Sequence, residues 1–260
     1  MAYIALRGID FRYGAAGPLI IRGFSLELDR GEFFALVGPS GCGKSTILNL
    51  LAGFEHATDG EVLVDDLAVR GPQRDRIVIF QEPDSLYPWL TARENVEFPL
   101  RVLGVARAER RTRAAEALRL VGLHGHEAKH PGQLSGGMKQ RVQLARALVL
   151  DAPVLLMDEP FGALDAQTRL ILQEELVQIA ARTQRTILFI THDIHEAVFL
   201  ADRVGVMTAG PEATMKKVVE VDLPRPRMRG SAAFGERYEE VHQILSEEVR
   251  RVLRGEDSLL

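Results

Sequence analysis

Gly38-Pro39-Ser40-Gly41-Cys42-Gly43-Lys44-Ser45-Thr46 lies between an apolar run, Phe33-Phe34-Ala35-Leu36-Val37, and a helix-like one, Ile47-Leu48-Asn49-Leu50-Leu51-Ala52. Strand, glycine-rich turn and helix in that order is the setting a phosphate-binding loop requires. Glycines let successive backbone N–H groups curl around an anion with no Cβ in the way. The helix start adds unpaired donors and the positive end of a dipole. Lys44 brings a charge to the terminal phosphates, and Ser45 brings a hydroxyl able to ligate Mg2+. A chance match to the bare pattern is the competing reading, and the flanking strand and helix weigh against it.

Bulk properties narrow the field. The 260 residues allow one large domain or two small ones. A hydrophobic content of 46% and a charged content of 26% are ordinary for a globular protein. The net charge of −4 gives no electrostatic case for nucleic acid. No apolar stretch approaches the ~20 residues that span a bilayer. The start, Met1 to Arg7, lacks a signal-peptide layout, which predicts a cytosolic chain. The one cysteine, Cys42, excludes an internal disulfide.

Residues 2–29 read as strands of an antiparallel sheet with one wet face, because Phe24, Leu26 and Leu28 alternate with Ser25 and Glu27. Tyr13 ends the first of them, and an aromatic there is placed to stack on a purine or to pack a strand end. Gly60–Asp66 reads as another strand, and Arg76–Phe80 as a strand buried on both faces with Gln81 at its C-terminal end. Leu86-Tyr87-Pro88-Trp89-Leu90 is an apolar, proline-broken loop. Ala106–Val121 reads as a helix whose arginines, mixed with Glu109 and Glu116, form a solvated face. His124, His126 and His130 share a loop but lack the further ligands that a metal site needs.

Leu134-Ser135-Gly136-Gly137-Met138 opens another helix, either as a serine cap or as a second phosphate contact. Val154–Asp158 is an apolar strand that ends in Asp158 and Glu159. Beside a phosphate loop, Asp158 suits the shell of Mg2+ and Glu159 suits a group that positions water. Ala163-Leu164-Asp165 forms a turn before a helix, and Thr186–Thr191 is a strand with His192 at its end, a plausible phosphate contact. Val204–Met207 and Lys216–Val221 read as a last core strand and an edge strand. Leu223–Arg229 reads as a stiff basic linker. Tyr238, Val241, Ile244, Leu245, Val249 and Val252 then recur at helical spacing, as in an amphipathic helix packed back on the domain.

Taken together, these segments resemble the ATP-binding-cassette (ABC) ATPases. The matches are the P-loop at Gly38–Thr46, Gln81 as the Q-loop, Leu134–Met138 as the signature, Val154–Asp158 with Glu159 as Walker B, Ala163–Asp165 as the D-loop and His192 as the switch histidine. They stand in family order and span about residues 3–210. Met138 and Gly162 depart from the commoner Gln and Ser of the family. Phe80–Thr91 with Glu94-Asn95-Val96, and the ending Asp222–Arg227 with Phe234, are similar to the nitrate, sulfonate and taurine importer ATPases.

The resemblance implies an α/β P-loop NTPase (RecA-like) core with an antiparallel β subdomain and an inserted α-helical subdomain. It assigns 1–81 and 151–221 to the ATP-binding core, 82–150 to the helical signature subdomain and 222–260 to a C-terminal extension. It implies ATP and Mg2+, with Tyr13 on adenine and Gly38, Pro39, Ser40, Gly41, Cys42, Gly43, Lys44, Ser45 and Thr46 on the phosphates. Ser45 and Gln81 would ligate the metal, with Asp158 behind them through water. Glu159 would polarise the attacking water, with Gln81 and His192 assisting. Ser135, Gly136, Gly137 and Asp165 would face nucleotide across a head-to-tail homodimer.

The implied partners are an integral membrane permease and a periplasmic or extracellular solute-binding protein, with the chain peripheral on the cytoplasmic face of the inner membrane. Leu86, Tyr87, Trp89 and Leu90 are expected to line a groove for a helix of the permease, burial in a subdomain core being the other reading. Alkylation of Cys42 is expected to block ATP binding. A soluble ABC ATPase not tied to transport is the alternative, disfavoured by the single cassette and the lack of a heptad run or basic excess.

Overall fold

Alternation builds the first sheet. β1 (Ile4–Arg12) and β2 (Leu19–Leu28) pair antiparallel, with Leu6 opposite Leu26 and Ile9 opposite Phe24. β4 (Asp59–Val64) joins the other edge of β1, and the short β5 (Leu67–Ala68) follows it. Leu26 and Leu28 point into the core while Ser25 and Glu27 are exposed, as a half-wet sheet requires. The computed structural model describes residues 2–14, 16–80, 86–162 and 164–254. It divides into two units, Met1–Gln73 with Gln184–Leu260, and Arg74–Thr183.

The first unit also carries a mainly parallel sheet. β3 (Phe33–Val37) lies between β8 (Thr186–Ile190) and β9 (Arg203–Met207), parallel to both. β10 (Met215–Glu220) adds to β9 antiparallel. Every residue of β3 and β8 is buried, which is why both read as unbroken apolar runs. α1 (Lys44–Ala52) leaves the end of β3, and α6 (Ile194–Leu200) leaves the end of β8.

The segment expected to be a stiff linker is instead a strap across α6. The last turn of a helix leaves carbonyls unpaired at the negative end of its dipole. Arg227 is buried there and donates to the carbonyls of Val198 (2.8 Å), Phe199 (3.2 Å), Ala201 (2.6 Å) and Val221 (2.9 Å). Burial, and then neighbouring Arg225, pull its pKa down to about 10. Arg225 donates to Leu200 O and to Asp202, both at 2.7 Å, and the Arg229 guanidinium lies 3.4 Å over the Phe199 ring. Arginine carries out this role where lysine would not, because its fork reaches several carbonyls at once.

The tail forms α7 (Ala232–Arg254). Its packed stripe is Phe234, Val241 and Glu248, while Val249 and Val252 are exposed. The apolar spacing thus locates the helix but misplaces the second half of its buried face.

In the second unit β6 (Arg76–Ile79) and β7 (Val154–Asp158) pair in parallel. Ile77 and Val78 are only half-buried, so β6 is not covered on both faces as expected. α2 (Ala92–Val102) starts in a capping box formed by Thr91 and Glu94. α3 (Arg107–Leu120), α4 (Gly136–Leu148) and α5 (Ala166–Thr183) complete the unit. Two of the α3 arginines are ties between elements rather than a solvated face. Arg110 pairs with Glu97 at 3.3 Å, and Arg113 reaches Val149 O (2.8 Å) and Asp151 (2.7 Å).

Removing the buried guanidinium strips several carbonyls of their donor at once. Arg227→Ala is expected to lower the unfolding free energy by about 2–4 kcal/mol, read from urea titration. A loss below about 0.5 kcal/mol would show that the strap is incidental.

Candidate active site

α1 begins without a side-chain cap. Gly43 holds the cap position at φ 93°, no side chain accepts from the first amides, and the first turn has no acidic residue. The starts of α2, α4 and α6, by contrast, are served by Thr91, Ser135 and Asp193, and α3, whose cap position is Ala106 without a side-chain bond, has Glu109 in its first turn. Only glycine suits position 43, since a Cβ there would also lie 2.5 Å from Ile21 Cδ1. Lys44 is buried, and its Nζ donates to Gly38 O at 2.9 Å and Pro39 O at 3.0 Å. The ammonium therefore braces the loop from within. Ser45 is exposed at the helix start and Thr46 is buried.

Tyr13 joins this loop from β1. Its hydroxyl lies 3.3 Å from Thr46 Oγ1, and its half-exposed ring meets Phe11 edge-on at 4.8 Å. Open amides, a cation and an exposed hydroxyl fit nucleotide phosphates with a hydrated divalent ion beside them. Cys42 differs from expectation. It is fully buried, and burial pushes its thiol up despite neighbouring Lys44. The thiolate that alkylation requires is scarce in this closed loop.

His192 is exposed two residues beyond the end of β8. Asp193 caps α6 by accepting from the amides of His195 (2.8 Å) and Glu196 (3.4 Å). Thr191 accepts from Asp193 N at 3.0 Å and donates to the buried Glu196 carboxylate at 2.7 Å. The sequence reading missed Glu196. Its signal was a carboxylate between Ile194 and Ala197, on a helix face that is otherwise apolar.

In the second unit, Asp158 and Glu159 are half-buried at the end of β7. Glu159 has φ 44°, in the left-handed region that favours glycine. Such an outlier at a strand end points to function. Ser135 Oγ accepts from Met138 N at 3.3 Å, opening α4 as an ordinary serine cap. Asp165 Oδ1 accepts from Thr168 N at 3.0 Å, and the Thr168 hydroxyl and amide hold the Asp165 carboxyl below the usual range. These two helix starts touch: a Cβ at Gly137 would lie 2.3 Å from Thr168 Cγ2. Gln81 and Ala163 lie outside the described residues.

The 86–91 loop splits the expected groove set. Leu86 is buried, Trp89 is 71% exposed, and Tyr87 packs on Phe98 at 4.5 Å and on Trp89 at 5.6 Å. Buried Asn95 ties the loop down, accepting from Tyr87 N and donating to the carbonyls of Tyr87, Leu90 and Thr91. Beside it lies a cavity of about 380 Å³, with Tyr87, Phe98, Pro99 and Arg146 in its wall. Leu86 belongs to the core, Tyr87 lines the cavity, and Trp89 and Leu90 do not.

Comparison with known proteins gives a family model described as ABC transporter, matching residues 21–162. An uncharacterised ABC transporter ATP-binding protein of Methanocaldococcus jannaschii is 47% identical, over 88% of this chain and 85% of that protein. A nitrate import ATP-binding protein of Synechococcus elongatus is 48% identical, over 85% of this chain and 82% of that one. The bicarbonate transport ATP-binding protein of the same species is 48% identical over 87% of this chain, and only 35% of that protein is covered. Among solved structures, a dimeric ATP-binding cassette in a post-hydrolysis state bound to ADP and Pi matches with TM-score 0.71 and 30% identity, covering 85% of this chain and all of the other. A Clostridium perfringens component of an ABC transporter complex matches with TM-score 0.79 and 25% identity, covering 96% of this chain and 97% of the other.

A buried thiol should react slowly. Cys42 is expected to label with a maleimide at least about tenfold more slowly in the native chain than in urea, and more slowly still with ATP. Native labelling as fast as in urea would contradict the closed loop.

Proposed function

This chain belongs to the ABC transporter family and is an ATP hydrolase, and we propose that it drives uptake of a small anion of the nitrate, sulfonate or taurine type. The single observation that carries the anion reading is the 48% identity, over 85% of the chain, to a nitrate import ATPase. In this reading residues 1–81 and 151–221 form the catalytic core, 82–150 the helical part and 222–260 a C-terminal extension.

ATP is held with adenine on Tyr13 and its phosphates on Gly38–Thr46, through backbone amides and the Lys44 ammonium. Ser45, Gln81 and Asp158 are the residues that would hold Mg2+, which would supply charge screening for the β- and γ-phosphates. Glu159 accepts a proton from the attacking water, and His192 reads the γ-phosphate. Ser135–Gly137 and Asp165 face the nucleotide of a second, head-to-tail copy. Catalysis then consists of positioning and charge stabilisation, with no covalent step on the protein.

Among the described residues no helix is long and apolar enough to cross a membrane, so movement of solute calls for a permease. The cavity beside Tyr87 and Trp89 is its docking groove on the cytoplasmic face of the inner membrane, and a solute-binding protein supplies the anion from outside.

Glu159→Gln is expected to bind ATP as the parent does while phosphate release falls by about a hundredfold or more. Turnover within a few-fold of the parent would take Glu159 out of its role. Tagged Glu159→Gln chain, recovered with ATP from detergent-solubilised membranes, should bring down a polytopic protein in equal amount, and Trp89→Ala should weaken that capture. Recovery of soluble partners alone would sink the transporter reading.

A further inference from the structure

The buried stripe of α7 contains a carboxylate where its spacing calls for a third apolar residue. Phe234, Val241 and Glu248 recur every seven residues, and Glu248 is 1% exposed. A buried carboxylate is costly unless it is fully bonded. One oxygen of Glu248 accepts from the backbone N–H of Ala209 at 3.0 Å, and the other accepts from Lys216 Nζ at 2.7 Å. Arg251 adds a second cation at 3.5 Å.

Ala209 is two residues beyond β9, and β9 is the direct neighbour of the strand that feeds the phosphate loop, with Val206 opposite Val37. The turn is closed by Thr208 and Thr214, through Thr208 N to Thr214 O and Thr214 N to Thr208 Oγ1, both 2.9 Å. Its far side packs on the phosphate loop. A Cβ at Gly210 would lie 3.4 Å from Gly41 O and 3.6 Å from Cys42 Cα, and one at Gly38 would lie 3.1 Å from Met207 Cβ. The tail thus reaches the loop in two steps, from Glu248 to the Ala209 amide and from Gly210 to Gly41 and Cys42.

We infer that Glu248 is a positioning residue for the phosphate loop, acting through the Thr208–Gly210 turn, so that docking of α7 and nucleotide affinity are coupled. The inference rests on the reading of Gly38–Thr46 as the nucleotide loop. A charge-assisted bond to a backbone amide fixes the direction of the turn in a way that an apolar contact does not. Coupling of this kind is reciprocal, so nucleotide on the loop must also tighten the tail.

The test is ADP affinity of the full chain by calorimetry, beside melting temperature. Glu248→Ala is expected to weaken ADP by about fivefold or more. Glu248→Gln keeps an oxygen for the Ala209 amide, and should melt lower for want of its Lys216 pair yet bind ADP within about twofold of the parent. Arg227→Ala should melt lower with ADP affinity unchanged, which separates positioning from general loss of stability. Parental affinity in Glu248→Ala, or equal losses in Glu248→Ala and Glu248→Gln, overturns the inference. Lys44→Ala is the control on the underlying reading: unchanged ADP affinity there removes the nucleotide loop itself, and this inference with it. Should Glu248→Ala fail to fold, hydrogen exchange of the parent decides. ADP is expected to slow exchange across Val241–Val252, and unchanged exchange overturns the coupling.

Discussion

The structure depends on the α1 helix start, at the end of the glycine-rich turn, having no side-chain cap. Backbone N–H groups at a helix N-terminus ordinarily find a side-chain acceptor, and α2, α4 and α6 all have one. At α1 the cap is a glycine with no side chain to accept, so the first donors of the helix suit an anion. That choice leaves the loop with little to hold it. Lys44 bonds the carbonyls of Gly38 and Pro39 from within, Tyr13 reaches Thr46 from one side, and the 208–210 turn lies on another. The surrounding structure is a set of braces around a segment that cannot brace itself with its own caps.

The same economy recurs at α6. Its N-terminus is closed by Asp193 and a buried Thr191–Glu196 bond, and its C-terminus by Arg227 and Arg225. A helix of only a few residues gains little from propagation and is held by what grips its ends. His192, one residue before the cap, is exposed just ahead of a short helix that is held at both ends.

Local signals made much of this legible in the sequence. The phosphate loop is contiguous, its strand and helix are strongly patterned, and the order of motifs identified the fold. Contacts made by distant residues were not legible. Nothing in a sequence says that Tyr13 will meet Thr46, because that contact depends on the bulged register between β1 and β2. Periodicity counts apolar residues, so it chose Val249 and Val252 for the tail and passed over Glu248, whose burial depends on Ala209 and Lys216. Leu223–Arg229 misled for a related reason. Proline and arginine together suggest an extended solvated segment, but a guanidinium beside a helix end is drawn to its carbonyls. Ser135 and Asp165 were legible as residues, and within this chain both act as caps.

The left-handed backbone of Glu159 separates two pressures on the same position. At φ 44° an ordinary side chain costs on the order of 1 kcal/mol, and glycine costs nothing there. A glycine there would relieve that backbone cost and give up the carboxylate with the contacts it makes. The chain thus carries a conformational cost at the residue proposed to hold the water, and a substitution that relaxed the backbone there would leave an inert cassette.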